Sequence, residues 1–108
     1  LVQVLQPIVR VLALNRDDLV RRAAIMALMC QGELLIEPME QAWLIDFKKY
    51  FAAELDRLKD METQGLVELG SEGVRVTPMG WFFVRGIAMV FDRYLQADRT
   101  RARFSRII

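Results

Sequence analysis

Between Gly65 and Gly80 the chain, GLVELGSEGVRVTPMG, changes its hydrophobic period to two: Leu66 and Glu68 lead into the turn GSEG at 70–73, and Val74, Arg75 and Val76 leave it. This predicts a two-stranded hairpin and leaves the remaining periodic segments to be helical. Thr77 and Pro78 then offer an N-cap and a first-turn proline for a closing helix.

The helical segments are bounded by their own signals. NRDDLVRRAAIMALMCQGEL begins at Asn15, which can cap, and stops at Gly32. Its stretch AAIMALMC, 23–30, is apolar on every side and predicts a helix enclosed by neighbours, with Met26, Met29 and Cys30 in the core. Asp17 and Asp18 suit the positive end of the helix dipole, and Arg21 and Arg22 follow at i+4. A short helix at 37–43 has Pro38 near its start and turns through Leu44 and Ile45 into Asp46, the expected cap of the next helix. There Phe47, Phe51, Leu55, Leu58 and Met61 or Glu62 form one stripe until Gly65. In the closing helix, Trp81, Val84, Ala88, Phe91 and Leu95 make a stripe beside a second one of Phe83, Ile87, Val90 and Tyr94, with Met89 also expected in the core. Gly86 within it implies either a close backbone contact or drift.

The order helix, short helix, helix, hairpin, helix predicts a mainly α, winged-helix-like domain over 15–97. An N-terminal segment precedes it at 1–14, and an Arg-rich tail follows at 98–108. With 108 residues, 54% of them apolar, the chain suits one core, and a domain of this size buries roughly 65% of its unfolded surface. The opening run LVQVLQPIVRVLAL is broken by Gln3, Gln6, Pro7 and Arg10 short of the length of a membrane span and lacks a signal-peptide cleavage site. Its abrupt start suggests a piece of something longer.

Chemistry is bounded by what is missing. There is no histidine and a single cysteine. The chain therefore contains no Ser-His or Cys-His pair, no His-based metal site and no internal disulfide. Catalysis by this chain alone is not expected, and a reducing cytoplasm is the expected compartment. Nucleic acid is not called for either. Fifteen Lys and Arg against fourteen Asp and Glu give a net charge of +1. The helix that would enter a major groove carries five acids (Asp46, Glu54, Asp56, Asp60, Glu62) and four bases (Lys48, Lys49, Arg57, Lys59).

Five blocks in order, RDDLVRRAAIMALMC, IDFKKYFAAELDRL, GLVELGSEGVRVTPMG, VRGIAMVFDRYL and RFSRII, resemble the C-terminal domain of the oxygen-independent coproporphyrinogen III oxidase family, radical SAM enzymes of haem biosynthesis. The resemblance runs from about Pro7 to Ile108. It implies a parent that converts two propionates of coproporphyrinogen III to vinyl groups, using a [4Fe-4S] cluster and S-adenosylmethionine held by an upstream barrel. It also implies that this chain is a non-catalytic part packing on, or covering, that barrel. Gly86 departs from the pattern, standing where the family has Asn.

Particular residues follow from these readings. Arg103 and Arg106, flanking Phe104, either clamp tetrapyrrole carboxylates through their guanidinium forks or belong to a solvated tail. Arg21 and Arg22 belong to helix surface or to the interface with the barrel. Trp81 and Trp43 either mark that interface or pack in the core, and Cys30 is a small apolar group. The alternatives are a stand-alone winged-helix DNA-binding regulator and a protein interaction module whose apolar face leads the isolated domain to self-associate.

Overall fold

The computed structural model describes residues 15–96; the expected segments 1–14 and 98–108 lie outside the described residues. Asn15 caps α1 (Arg16–Gln31), its side chain accepting the Asp18 N–H at 2.9 Å. Gly32 ends α1 in the left-handed conformation, φ 72°, with its N–H donating to the Leu28 carbonyl. Val20, Ala24 and Leu28, at i, i+4 and i+8, are fully buried.

The opposite side of α1 is open, which corrects the expectation of an enclosed helix. Met26, Met29 and Cys30 are exposed. All-round apolarity does not create neighbours. Those that exist, the strand after α1 and the C-terminal segment, approach from one side. Met89 does pack against the core, partly buried.

After β1 (Glu33–Leu35), α2 (Ile36–Trp43) carries Pro38 in its first turn, where the missing N–H costs nothing. Leu44, with φ 54°, turns the chain into α3 (Phe47–Tyr50). Asp46 occupies the cap position, but its side chain makes no capping bond. Glu40 supplies the acceptor instead, its Oε2 taking the Phe47 N–H at 2.9 Å.

The long helix expected from Asp46 is bent at Phe51 (φ −108°, ψ 30°), so that α3 and α4 (Ala52–Thr63) are separate elements. The predicted stripe survives the bend: Phe47, Phe51 and Leu58 are buried and Leu55 and Met61 partly so. Phe51 stands edge-on to three rings, those of Phe47 (5.2 Å between centroids), Tyr50 (4.9 Å) and Phe91 (5.0 Å). Edge-to-face pairs at these distances each add about 0.5–1.5 kcal/mol beyond the area they bury.

The hairpin forms as expected from β2 (Val67–Leu69) and β3 (Gly73–Val76), with Val67 opposite Val76 and Leu69 opposite Val74. It is not two-stranded. β1 pairs antiparallel with β3, Leu34 opposite Val74, giving the sheet order β1-β3-β2. Leu34, Val67, Val74 and Val76 face the core. Arg75, on the other face, lies opposite Glu33 on one side and Glu68 on the other.

Thr77 caps as expected, its Oγ1 accepting the Gly80 N–H at 3.0 Å. The single closing helix does not form. A 3-10 turn (Gly80–Phe83), α5 (Val84–Ala88) and a second 3-10 turn (Met89–Phe91) succeed one another. Asp92 then extends (ψ 104°), and residues 93–96 are helical. Ile87, Ala88, Val90 and Phe91 all point inward across these joints. Asp92 caps the last turn through its Oδ1, which accepts the Leu95 N–H at 2.9 Å. A Cβ at Gly86 would meet nothing within 4 Å, so no backbone among the described residues demands glycine there.

The result is mainly helical with a small antiparallel sheet, the winged-helix-like class expected from the sequence.

Candidate functional site

Arg21, Arg22 and Trp81 all fall where α1 meets the C-terminal segment, but the structure uses them differently. Arg21 turns inward. Its Nη1 donates to Glu54 Oε2 at 2.6 Å and to the Phe91 carbonyl at 3.2 Å, and its Nε reaches the Asp17 carboxylate at 3.0 Å. The guanidinium also lies over the Phe51 ring, 5.6 Å from its centroid. One side chain thus ties α1, α4 and the C-terminal segment together.

Asp17 is the hub of the charges around it. It accepts hydrogen bonds from Arg21 and from the Tyr50 hydroxyl at 2.5 Å, and pairs with Arg93 Nη1 at 3.1 Å. Arg93 also approaches Asp18 at 3.7 Å and stacks on Tyr94, whose hydroxyl donates to Asp18 at 3.3 Å. Arg93 and Tyr94 thereby latch the segment after Asp92 onto the first turn of α1. Nothing in local spacing relates Arg93 to Asp17, 76 positions earlier in the chain, so the sequence alone gives Arg93 no role.

This network makes stability depend on pH in a definite direction. Burial alone would raise the Asp17 carboxyl. The hydrogen bonds from Tyr50 and Arg21 and the charges of Arg21 and Arg93 outweigh it and hold the group below its ordinary value of 3.8. A depressed carboxyl stabilises the fold above its unfolded pKa, and that contribution is lost as pH falls through the folded value. Tyr50 is raised above 10.0 by burial and by its bond to Asp17, so its contribution is lost as pH climbs through the raised value. Urea unfolding across pH is therefore expected to show an acid limb beginning below about pH 4, and Asp17→Asn is expected to flatten it. An unchanged limb in that variant would remove Asp17 as its source.

Arg22 is exposed and takes no ion-pair partner among the described residues. It lines a cleft of about 520 Å³ between α1 and the C-terminal segment, floored by Ile25, Met26 and Phe91. Trp81 lies over the end of α1, where a Cβ on Gly32 would come 2.4 Å from its ring, yet 44% of the residue remains accessible. Met79, Phe82 and Phe83 beside it are exposed too, Phe82 being 85% accessible, while Gly80 among them is buried. Trp43 is partly buried against the core. Arg103, Phe104 and Arg106 lie outside the described residues.

The donors available to a metal are few. No group of three or more His, Cys, Asp or Glu among the described residues is placed to hold one, and the lone Cys30 is exposed. An iron-sulfur cluster needs several thiolates, so the residues of this chain do not fit one. No helix among the described residues is long and apolar enough to cross a membrane.

Comparison with known proteins places the chain in a family. The HemN C-terminal domain family matches residues 14–83. Oxygen-independent coproporphyrinogen III oxidase from Salmonella typhimurium is 39% identical over 99 residues, which are 92% of this chain and 22% of that protein. The protein of the same name from Pseudomonas aeruginosa is 45% identical over 94 residues, 87% of this chain and 20% of the relative. Among solved structures, the coproporphyrinogen III oxidase HemN from Escherichia coli, described as a radical SAM enzyme, superimposes with a TM-score of 0.74 at 41% identity, over 77% of this chain and 19% of that one. The chain thus spans about a fifth of the length of these relatives. It belongs to the HemN C-terminal domain family.

Proposed function

We propose that this chain is the non-catalytic C-terminal domain of a radical SAM enzyme acting on coproporphyrinogen III, and that it packs on the catalytic barrel through the surface carrying Trp81, Phe82 and Phe83. Arg22 lines the separate cleft beside Ile25 and Met26 and would extend the contact along α1. The observation that carries this reading is the exposed group Met79, Trp81, Phe82 and Phe83 in a chain that spans only 22% of the length of a relative. Contiguous apolar surface of this kind marks a protein contact.

On this reading the [4Fe-4S] cluster and S-adenosylmethionine belong to the upstream region, and the radical chemistry on the propionates takes place there. The parent works in the reducing cytoplasm. The domain contributes a rigid body: its last element is latched by Arg93, and its aromatic run is anchored by Trp81 on Gly32. The Arg-rich tail, with Arg103 and Arg106, follows this latched element in the chain and is available to meet substrate carboxylates.

Titration calorimetry with the separately produced upstream region tests the docking. Binding is expected, and Phe82→Ser is expected to weaken it about tenfold or more, the size of a hot-spot aromatic loss, with an unchanged unfolding midpoint because Phe82 packs on nothing within the core. No binding by the unaltered chain, or full binding by the variant, would remove the reading.

A further inference from the structure

In a DNA-binding winged helix, the helix before the hairpin and the hairpin itself face the duplex. Here the space between them is an apolar slot of about 530 Å³. Its size lies within the 300–1,000 Å³ typical of small-molecule sites, which are mostly apolar with a few convergent polar groups.

The slot is built by particular choices. Ile36, Leu55, Leu69 and Val74 line it. Ala52 and Ala53, at the start of α4 just after the bend at Phe51, wall one side with methyl groups. Larger side chains there would fill the space. Three charged groups line it, Lys48, Asp56 and Lys59. Asp56 is engaged with Lys59 at 3.4 Å, whereas Lys48 has no ion-pair partner among the described residues. The slot therefore combines an apolar lining with one uncommitted cation.

We propose that this slot is a binding site for a small amphipathic anion, an apolar body seated against Leu55, Leu69 and Val74 with its anionic head on Lys48. No residue of the slot belongs to the proposed docking surface, so the inference stands independently of how the domain meets a barrel. Filling the slot would also cover the face that nucleic acid would otherwise need.

The test uses this chain alone with anilinonaphthalene sulfonate as the probe, followed by two-dimensional amide NMR. Saturable shifts are expected at Leu69, Gly70, Gly73 and the first turns of α4. Lys48→Gln is expected to weaken binding about tenfold, as loss of a charged hydrogen-bond partner does. Ala53→Phe, at an exposed position, is expected to abolish it with the fold's remaining amide shifts preserved. Arg22→Gln is expected to leave it unchanged. Saturable shifts centred on residues 81–83, binding indifferent to both slot variants, or no saturable binding would each overturn the proposal.

Discussion

Replacement of Arg21 by methionine is expected to lower the stability of the domain by about 3–5 kcal/mol, the usual cost of breaking a buried ion pair from one side. The loss does not come from the pair's own attraction. It comes from the Glu54 carboxylate, whose side chain is only 8% accessible and whose guanidinium partner at 2.6 Å would be gone. The Phe91 carbonyl would lose a donor and the Phe51 ring its cation. Since domains of this size are stable by about 5–15 kcal/mol, the variant should be near the edge of unfolding in urea titrations. Arg21→Met combined with Glu54→Leu is expected to recover much of the loss, because the uncompensated charge is removed and apolar groups fill the space. Asp17 would retain Tyr50 and Arg93 in both variants. A single-variant loss below about 1 kcal/mol, the scale of a solvated surface bridge, would contradict the anchoring role.

This role alters how the Arg21–Arg22 pair is understood. In the sequence both follow an Asp at i+4, and nothing distinguishes them. In the fold they sit 100° apart on α1, enough to send one to the Glu54 carboxylate and the other to the cleft beside Ile25 and Met26. Chain-local signals read well wherever a local interaction decides the structure. Asn15 and Gly32 bound α1 as expected, and Thr77 caps the turn that follows the hairpin. The turn at 70–73 sits where the period of two placed it.

What was not legible depended on how the elements turn and pack. Glu40 reaches across Leu44 to cap α3 in place of Asp46. The closing segment, whose stripes read as one continuous helix, is divided into a 3-10 turn, a short α-helix and a second 3-10 turn. The exposed side of α1, with Met26, Met29 and Cys30, is as apolar as the buried one, so composition could not tell them apart. For the candidate site, Trp81 and Arg22 each had a local reading, as a stripe member and as an i+4 partner of Asp18, whereas the Arg93 latch and the slot beside Lys48 exist only once the elements have packed.

The third strand was missed for the same reason, and it makes the second large prediction. Glu33–Leu35 offers three residues, too few to show a period, yet its backbone runs so close to β3 that a Cβ on Gly73 would lie 2.1 Å from the Leu34 carbonyl oxygen. Gly73 also has φ 151°, which L side chains rarely adopt. Gly73→Ala is therefore expected to cost about 3–5 kcal/mol, the sum of backbone strain and overpacking against a main chain that cannot step aside. Gly70, at the other end of the same turn, has no positive φ, and nothing lies within 4 Å of its would-be Cβ. Gly70→Ala should cost less than about 1 kcal/mol, as surface changes do. Chemical unfolding of the two variants separates a glycine chosen for the turn from one chosen for the neighbouring strand. Amide exchange locates the damage: β1 is tied down at its ends by Ile36 N–H to the Glu72 carbonyl (2.9 Å) and Val76 N–H to the Gly32 carbonyl (2.7 Å). Both protons should lose protection in Gly73→Ala and keep it in Gly70→Ala. Equal losses in the two variants would mean that the turn, and not the approach of β1, sets the requirement at position 73.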